Sequence, residues 1–298
     1  MGWGMRAIGW YVRRTRKPLW ADAGRFHAHA HGPKASPRPP ASLHRRHRVQ
    51  QRQIQGFAHY SVAPRQGEAA RVVLYLHGGG YVNEIAPQHW QLVSRMADAG
   101  LRVEVPIYGL APQHGFEQAY AMLGALHAEL VSTPKAQLFI VGDSAGGGLA
   151  LGLAQTLQAQ GLPPPLGLTL ISPWLDITCA NPEIDALEPR DPWLAKPGAL
   201  LAGALWARGA DPADPRLSPL NGPLHGLPAM EVYIGTHDIL YPDVRRLHER
   251  VQGLGPAAPH LRLHVCPGAC HVYPLLPVRE GREAARQLVR HLASARSR

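Results

Sequence analysis

Short runs of β-branched and other apolar residues recur along the chain from Ala70 onward, at Val72–Leu76, Val103–Ile107, Leu138–Val141, Leu166–Ile171, Val232–Ile234 and Leu261–Val265. Runs this short read as buried strands, because a helix needs a longer periodic stretch. Between them, Phe116–Val131, Ala145–Gln160, Asp243–Val251 and Gly281–Leu292 carry helical periodicity or composition. Strands alternating with helices imply βαβ units, so the chain is expected to fold as an α/β protein, a three-layer sandwich around a mostly parallel sheet. The rhythm breaks from about Ile177 to Arg216, where Pro182, Pro189, Pro192 and Pro197 surround an apolar segment from Trp193 to Trp206. Such an interruption predicts an inserted lid. Gly32 to Pro40, rich in Pro, Ser, Ala and Gly, reads as an irregular connector into the basic cluster Arg45, Arg46 and Arg48. No segment recurs at a fixed period, which weighs against solenoids and propellers. The expected organisation is an N-terminal arm over residues 1–65 that forms part of a helical cap, then one catalytic domain over 66–298 with its lid at about 177–216.

Composition adds a large core: 45% of the 298 residues are hydrophobic and only 17% charged. The formal net charge of +10 suggests a polyanionic partner until it is divided along the chain. Residues 1–54 carry 12 Lys and Arg against the single acid Asp22, leaving 19 basic and 20 acidic residues beyond them. The basicity belongs to the arm, and no nucleic-acid partner is expected. Trp3, Ile8, Trp10, Tyr11 and Val12 lead into Arg13, Arg14, Arg16 and Lys17, an amphipathic stretch too short to span a bilayer. It is expected to pack as a helix over the mouth of the site, with contact to a membrane surface as the second reading. Charges follow the apolar residues and no long apolar core of a signal peptide appears, so the expected location is cytoplasmic. Cys179, Cys266 and Cys270 are odd in number and show no zinc spacing, which fits reduced thiols and no metal. A homodimer stays open.

The chemistry concentrates in Leu138 to Gly148, a strand running through Gly142-Asp143-Ser144-Ala145-Gly146 into a helix. A turn this tight admits only small residues around it, and it projects the serine hydroxyl from the sheet edge. A phosphate cradle also uses a Gly-rich turn before a helix, but the following Gly-Lys-Ser/Thr is missing. His77-Gly78-Gly79-Gly80-Tyr81 follows the strand Val72–Leu76, and its glycine amides can present donors to an oxyanion. Gly78, Gly79 and Ala145 are the candidate donors, while His77 reads as structural. A serine nucleophile needs a base, and the base needs a carboxylate. Asp238 ends the strand beginning at Val232, and His271 follows the strand Leu261–Val265, both at strand C-terminal ends where open α/β sheets place ligands. Asp243 competes for the acid, and His264 and His237 for the base. Asp243 opens the next helix, where it favours the positive dipole end, and His264 lies inside a strand.

His77-Gly78-Gly79-Gly80 and Gly142-Asp143-Ser144-Ala145-Gly146-Gly147, with Tyr108-Gly109-Leu110-Ala111-Pro112 and Ser172-Pro173-Trp174-Leu175-Asp176, resemble the signature segments of the hormone-sensitive-lipase-like, or type IV, esterases. The likeness covers most of residues 70–275. It implies an α/β-hydrolase fold and cofactor-free hydrolysis of small acyl esters. It further implies a triad of Ser144, Asp238 and His271, an oxyanion hole from Gly78, Gly79 and Ala145, and an N-terminal cap over the acyl pocket. Two departures stand out: Gly109 where the family commonly has Arg, and Cys270-His271-Val272-Tyr273 in place of a small-His-Gly-Phe type sequence. Two other outcomes stay open. One is an arylformamidase-like amide hydrolase. The other is a non-catalytic receptor of the same fold, against which Asp238 and His271 weigh.

Overall fold

Side-chain alternation along the central strands decides the layering. In the computed structural model, which describes residues 2–67, 69–133 and 136–294, eight strands form one sheet in the order β1-β2-β4-β3-β5-β6-β7-β8. The last four residues of the expected catalytic domain lie outside those described. The strands are β1 (Arg48–Ile54), β2 (Phe57–Ala63), β3 (Arg71–Leu76), β4 (Arg102–Pro106), β5 (Gln137–Asp143), β6 (Gly167–Ile171), β7 (Ala229–His237) and β8 (Leu261–Cys270). All pairings are parallel except those of β2 with β1 and β4. Val72, Leu74 and Leu76 of β3 and Ile140 of β5 enter one apolar cluster, and Val73, Tyr75, Phe139 and Val141 enter another. Strand residues two apart share a face, so the central strands are apolar on both sides and must be covered on both.

The cover follows from the same clusters. Helices α6 (Phe116–Ser132), α7 (Ala145–Ala159) and α10 (Tyr241–Gln252) contribute Leu126, Leu153 and Leu247 to the first. Helices α5 (Pro87–Asp98) and α11 (Arg279–Ser294) contribute Trp90, Val93 and Leu288 to the second. Each such fully buried aliphatic side chain contributes about 1.5–3 kcal/mol. The result is the three-layer α/β sandwich that the alternation predicts.

The sheet begins earlier than the β-branched runs suggest. Residues 48–63, expected within the arm, form the β1–β2 hairpin and pair through β2 to β4. Upstream lie α1 (Trp3–Thr15), α2 (Lys17–Ala21), α3 (Ala23–His31) and α4 (Ala41–Arg46), with residues 33–40 without regular structure. Within the Pro-interrupted stretch stand α8 (Glu183–Leu187) and α9 (Lys196–Ala207). Trp20 of α2 lies so close to Gly198 of α9 that a Cβ at Gly198 would come 2.7 Å from the Trp20 carbonyl oxygen. Arm and inserted segment therefore pack together above the C-terminal edge of the sheet.

Gly109, the first departure from the resembled pattern, has a local reason. A Cβ there would run into the His114 ring and come 2.6 Å from the Phe57 ring. Those two rings pack edge to face at 5.0 Å and fill the space a longer side chain would need.

Candidate active site

Strand β5 delivers Ser144 into a backbone conformation that L-residues avoid, φ 53° and ψ −122°, at the turn into α7. Two glycines make the turn passable. A Cβ at Gly142 would strike the Gly146 carbonyl oxygen, and one at Gly146 would strike that of Leu76. The Ser144 amide is tied to the Ile171 carbonyl at 2.8 Å, and the Ser144 carbonyl accepts from Gly147, Gly148 and Trp174. The strained residue is thus fixed by its neighbours on β6 and α7.

The loop after β3 lies directly beside it. A Cβ on Gly78 would come 2.9 Å from the Ser144 Cβ, and Gly79 and Gly80 hold φ of 129° and 63°. Among the described residues, the amides of Gly78, Gly79 and Ala145 donate to no protein group. Three unspent donors beside one hydroxyl are what an oxyanion needs. His77 is buried, stacks on Tyr108 at 4.6 Å and donates from Nδ1 to the Gly78 carbonyl at 2.8 Å. Burial lowers its pKa to about 4, so it is neutral and shapes the loop.

Strands β7 and β8 carry the other two groups. Their register slips between Gly235 and His237, and a Cβ at Gly235 would strike the Ala269 carbonyl oxygen. This irregularity ends with His237 opposite Cys270, so the next residue of each strand, Asp238 and His271, emerges side by side. The His271 Nδ1–H donates to Asp238 Oδ2 at 2.8 Å, and Ser144 Oγ–H donates to His271 Nε2 at 2.9 Å. All three residues are buried. Asp238 Oδ1 also accepts from the Leu240 amide at 3.1 Å, and the Val272 amide donates to Ser172 Oγ at 3.0 Å, bracing the histidine loop. Burial pulls the His271 pKa down, but the Asp238 charge and hydrogen bond outweigh it and hold the pKa above the ordinary histidine value.

Two of the three competitors pair elsewhere. Asp243 accepts from Asn181 Nδ2 at 3.0 Å. His264 pairs with Glu231 at 2.5 Å and stacks on Tyr233 at 4.3 Å. His237, within β7, has its pKa lowered by burial and by Arg190 and Arg13.

Several contributors carry no motif of their own. Asp143 accepts from Tyr75 Oη at 2.6 Å and lies 3.3 Å from His89 Nε2, which anchors the turn from behind. Asp191 is fully buried beside Asp238; its Oδ1 accepts from Trp193 and Leu194 amides at 2.6 and 2.9 Å, and its Oδ2 from the Ile239 amide at 2.8 Å. Burial, then the Asp238 charge, lifts the Asp191 pKa above the ordinary carboxylate value. That carboxyl ties the inserted segment to the loop bearing Asp238, and Trp193 meets the His271 ring edge-on at 5.9 Å. Asp191 and Trp193 lie in the Pro-interrupted stretch that predicts a lid, and nothing in that stretch picks out either residue.

Ser144 and His271 open onto a cavity of about 580 Å³, also lined by Leu19 and Trp20 of the arm and Trp193 and Leu194 of the insertion. Its size suits a small organic substrate. Among the described residues no group of three metal-ligating side chains occurs.

A family model described as alpha/beta hydrolase fold matches residues 73–275. The chain is similar to an acetyl-hydrolase of Streptomyces hygroscopicus, with 32% identity over 221 residues covering 72% of each chain. Among solved structures it resembles EstE5 soaked with p-nitrophenyl butyrate, at a TM-score of 0.82 and 28% identity over 98% of both chains. It also resembles an esterase from the bacterial hormone-sensitive lipase family, at a TM-score of 0.78 and 26% identity over 98% of both chains.

Proposed function

The chain belongs to the α/β-hydrolase fold family, among its hormone-sensitive-lipase-like members, and is a carboxylic ester hydrolase; from that premise we propose that it is a serine esterase of short- to medium-chain acyl esters. In this reading Ser144 is the nucleophile, His271 the general base and acid, and Asp238 the carboxylate that orients it. The observation that carries the reading is the unbroken line of two hydrogen bonds from Ser144 Oγ through His271 to Asp238.

Ser144 Oγ attacks the ester carbonyl carbon while its proton passes to His271 Nε2. Asp238 fixes the tautomer with Nδ1 protonated and stabilises the imidazolium. The oxyanion takes the amides of Gly78, Gly79 and Ala145. As the C–O bond to the alcohol breaks, His271 returns the proton to the leaving oxygen, and an acyl-Ser144 remains. Water then attacks that ester with His271 as base, a second oxyanion forms, and Ser144 leaves with the proton as the acid departs. No cofactor enters the scheme.

Helices α1 to α3 with the insertion over 177–216 act as the cap, a role supported by the arm and insertion residues in the cavity wall. The acyl-length reading draws support from the cavity volume and from the words acetyl-hydrolase and p-nitrophenyl butyrate in the names of the similar proteins.

Hydrolysis of p-nitrophenyl esters from acetate to palmitate tests this. Wild type is expected to peak at short or medium chains, and Ser144→Ala to lose roughly 10⁴-fold or more in kcat. Retained activity in Ser144→Ala overturns the mechanism, and a palmitate optimum overturns the chain length. A wild type that cleaves an arylformamide and spares the matched ester makes it an amide hydrolase.

A further inference from the structure

One wall of the cavity holds an ionisable group that the proposed chemistry leaves unused. Glu84 lies four residues beyond Gly80, between the glycine loop and α5, and lines the same cavity as Ser144 and His271. Among the described residues its carboxyl accepts no hydrogen bond, and its Oε2 is closed off from solvent. Native proteins rarely leave a buried acceptor unpaired, because it forfeits hydration without recovering a partner.

Three polar residues near it have partners of their own. Asn83 Oδ1 takes the His29 Nε2–H at 2.6 Å, and Asn83 Nδ2 donates to the Gly79 carbonyl at 2.9 Å. Lys34 Nζ donates to the Ala30 carbonyl at 2.5 Å and makes no ion pair with Glu84. Asp143 has Tyr75 and His89. Glu84 is the wall's one unpaired carboxyl among the described residues, in a lining that also carries the apolar side chains Leu19, Trp20, Val82, Ile85, Trp193 and Leu194.

We propose that Glu84 is a specificity-determining residue that binds a hydroxyl group of the substrate, so that the preferred ester carries a hydroxyl on its acyl or its alcohol arm. The proposal rests on the serine-esterase reading and names the substrate class for that site. The neighbourhood favours a hydroxyl over a charged group. Lys34 and Arg16 share the wall and repel an ammonium, while the carboxyl itself repels a second carboxylate. Burial lifts the Glu84 pKa to about 7 against the pull of Lys34, so both carboxyl forms are present at neutral pH. A hydroxyl, which donates and accepts, can pair with either. A hydrocarbon of the same shape leaves the carboxyl as it is now.

Two isosteric pairs test this by kcat/KM from pH-stat titration: ethyl 3-hydroxybutyrate against ethyl 3-methylbutyrate, and 2-hydroxyethyl butyrate against n-propyl butyrate. Wild type is expected to favour the hydroxylated member of one pair by about tenfold, the effect of one net hydrogen bond. Preference in the first pair identifies a hydroxyacyl ester, and in the second a polyol ester. Glu84→Leu should bring that ratio to about one, and Glu84→Gln, which keeps an acceptor and a donor, should keep part of it. A wild-type ratio near one in both pairs is what a carboxyl neutralised by Lys34 alone would give, and it overturns the proposal while the esterase reading stands. A preference unchanged in Glu84→Leu also overturns it. A wild type inactive on all four esters removes the esterase reading and the proposal with it.

Discussion

His271 sits between opposing pulls, and their balance sets where the enzyme should work. Burial favours the neutral ring, but Asp238 at 2.8 Å, followed by the charges of Asp191 and Asp143, favours the imidazolium, and the net pKa is raised above 6.5. In the proposed mechanism only the neutral ring can take the Ser144 proton, so activity is expected to be lost as pH falls through the raised pKa. The acid limb of kcat/KM on p-nitrophenyl butyrate is therefore expected above pH 6.5. Asp238→Asn removes the largest stabiliser of the charged ring and the acceptor that fixes the tautomer. It should shift the limb downward and cut kcat by about 10⁴-fold. A wild-type limb below 6.5, or one that Asp238→Asn leaves in place, contradicts this account. At this scale the proposed triad of Ser144, Asp238 and His271 could be picked out of the sequence because tight turns and strand ends demand particular residues in a short window. Asp191 and Trp193 could not, since what defines them is a neighbour far away in sequence, and neither could Glu84, since what sets it apart is its burial without a partner. Asp191, for example, meets the Ile239 amide 48 residues on.

The central strands were the most legible elements because they are buried on both faces. Strands β3 to β7 are apolar on both faces and announce themselves as β-branched runs. The edge strand β1 buries only Ile54 of its seven residues, so Arg48-Val49-Gln50-Gln51-Arg52-Gln53 gives no apolar signal; polar edges of this kind also discourage pairing between sheets. Its hairpin partner β2 was hidden with it. Helix α5 did carry a stripe, with Trp90, Val93 and Met96 buried, between the glycine loop and β4. The arm was legible as a basic amphipathic stretch, but the use of its charge was not. Lys17, the first residue of α2, donates to the carbonyls of Glu188, Asp191 and Leu194 at 2.7, 3.0 and 2.7 Å, closing the loop that holds Trp193 against His271. Lys17→Met should leave three carbonyls short of a donor and cost about 2 kcal/mol, read as a Tm decrease of a few degrees. Because the same loop carries Asp191 and Trp193, kcat on p-nitrophenyl butyrate is expected to fall about tenfold, one hydrogen bond's worth of positioning. A Tm decrease with kcat intact would make Lys17 a strut and nothing more.

For the molecule as a whole, the unequal spread of charge bears on the arm's second reading, contact with a membrane surface. None of the described helices is long and apolar enough to cross a membrane. Surface binding by an amphipathic helix depends on the apolar area it can sink into the headgroup region, with electrostatics added. In α1 much of that area is already spent. Met5 and Val12 are buried in the protein, Met5 Sδ lies 3.9 Å from Cys270 Sγ, and Arg13 donates to the carbonyls of Pro189 and Arg190 at 3.2 Å. What faces outward is Trp3, Trp10 and Tyr11, at 85, 60 and 57% exposure, with the Arg14 guanidinium 4.0 Å over the Trp10 ring. Such a face has charge and only a short apolar strip, Trp3, Ala7, Trp10 and Tyr11 at helical spacing. The chain is therefore expected to sediment with anionic vesicles at low ionic strength and to release them by roughly 0.15 M salt, where charges are screened within about 8 Å. Binding that survives that salt and is removed by replacing Trp3, Trp10 and Tyr11 with alanine would make the arm an interfacial anchor. Its inner face would then hold the cap while its outer face carried the enzyme to lipid-borne esters.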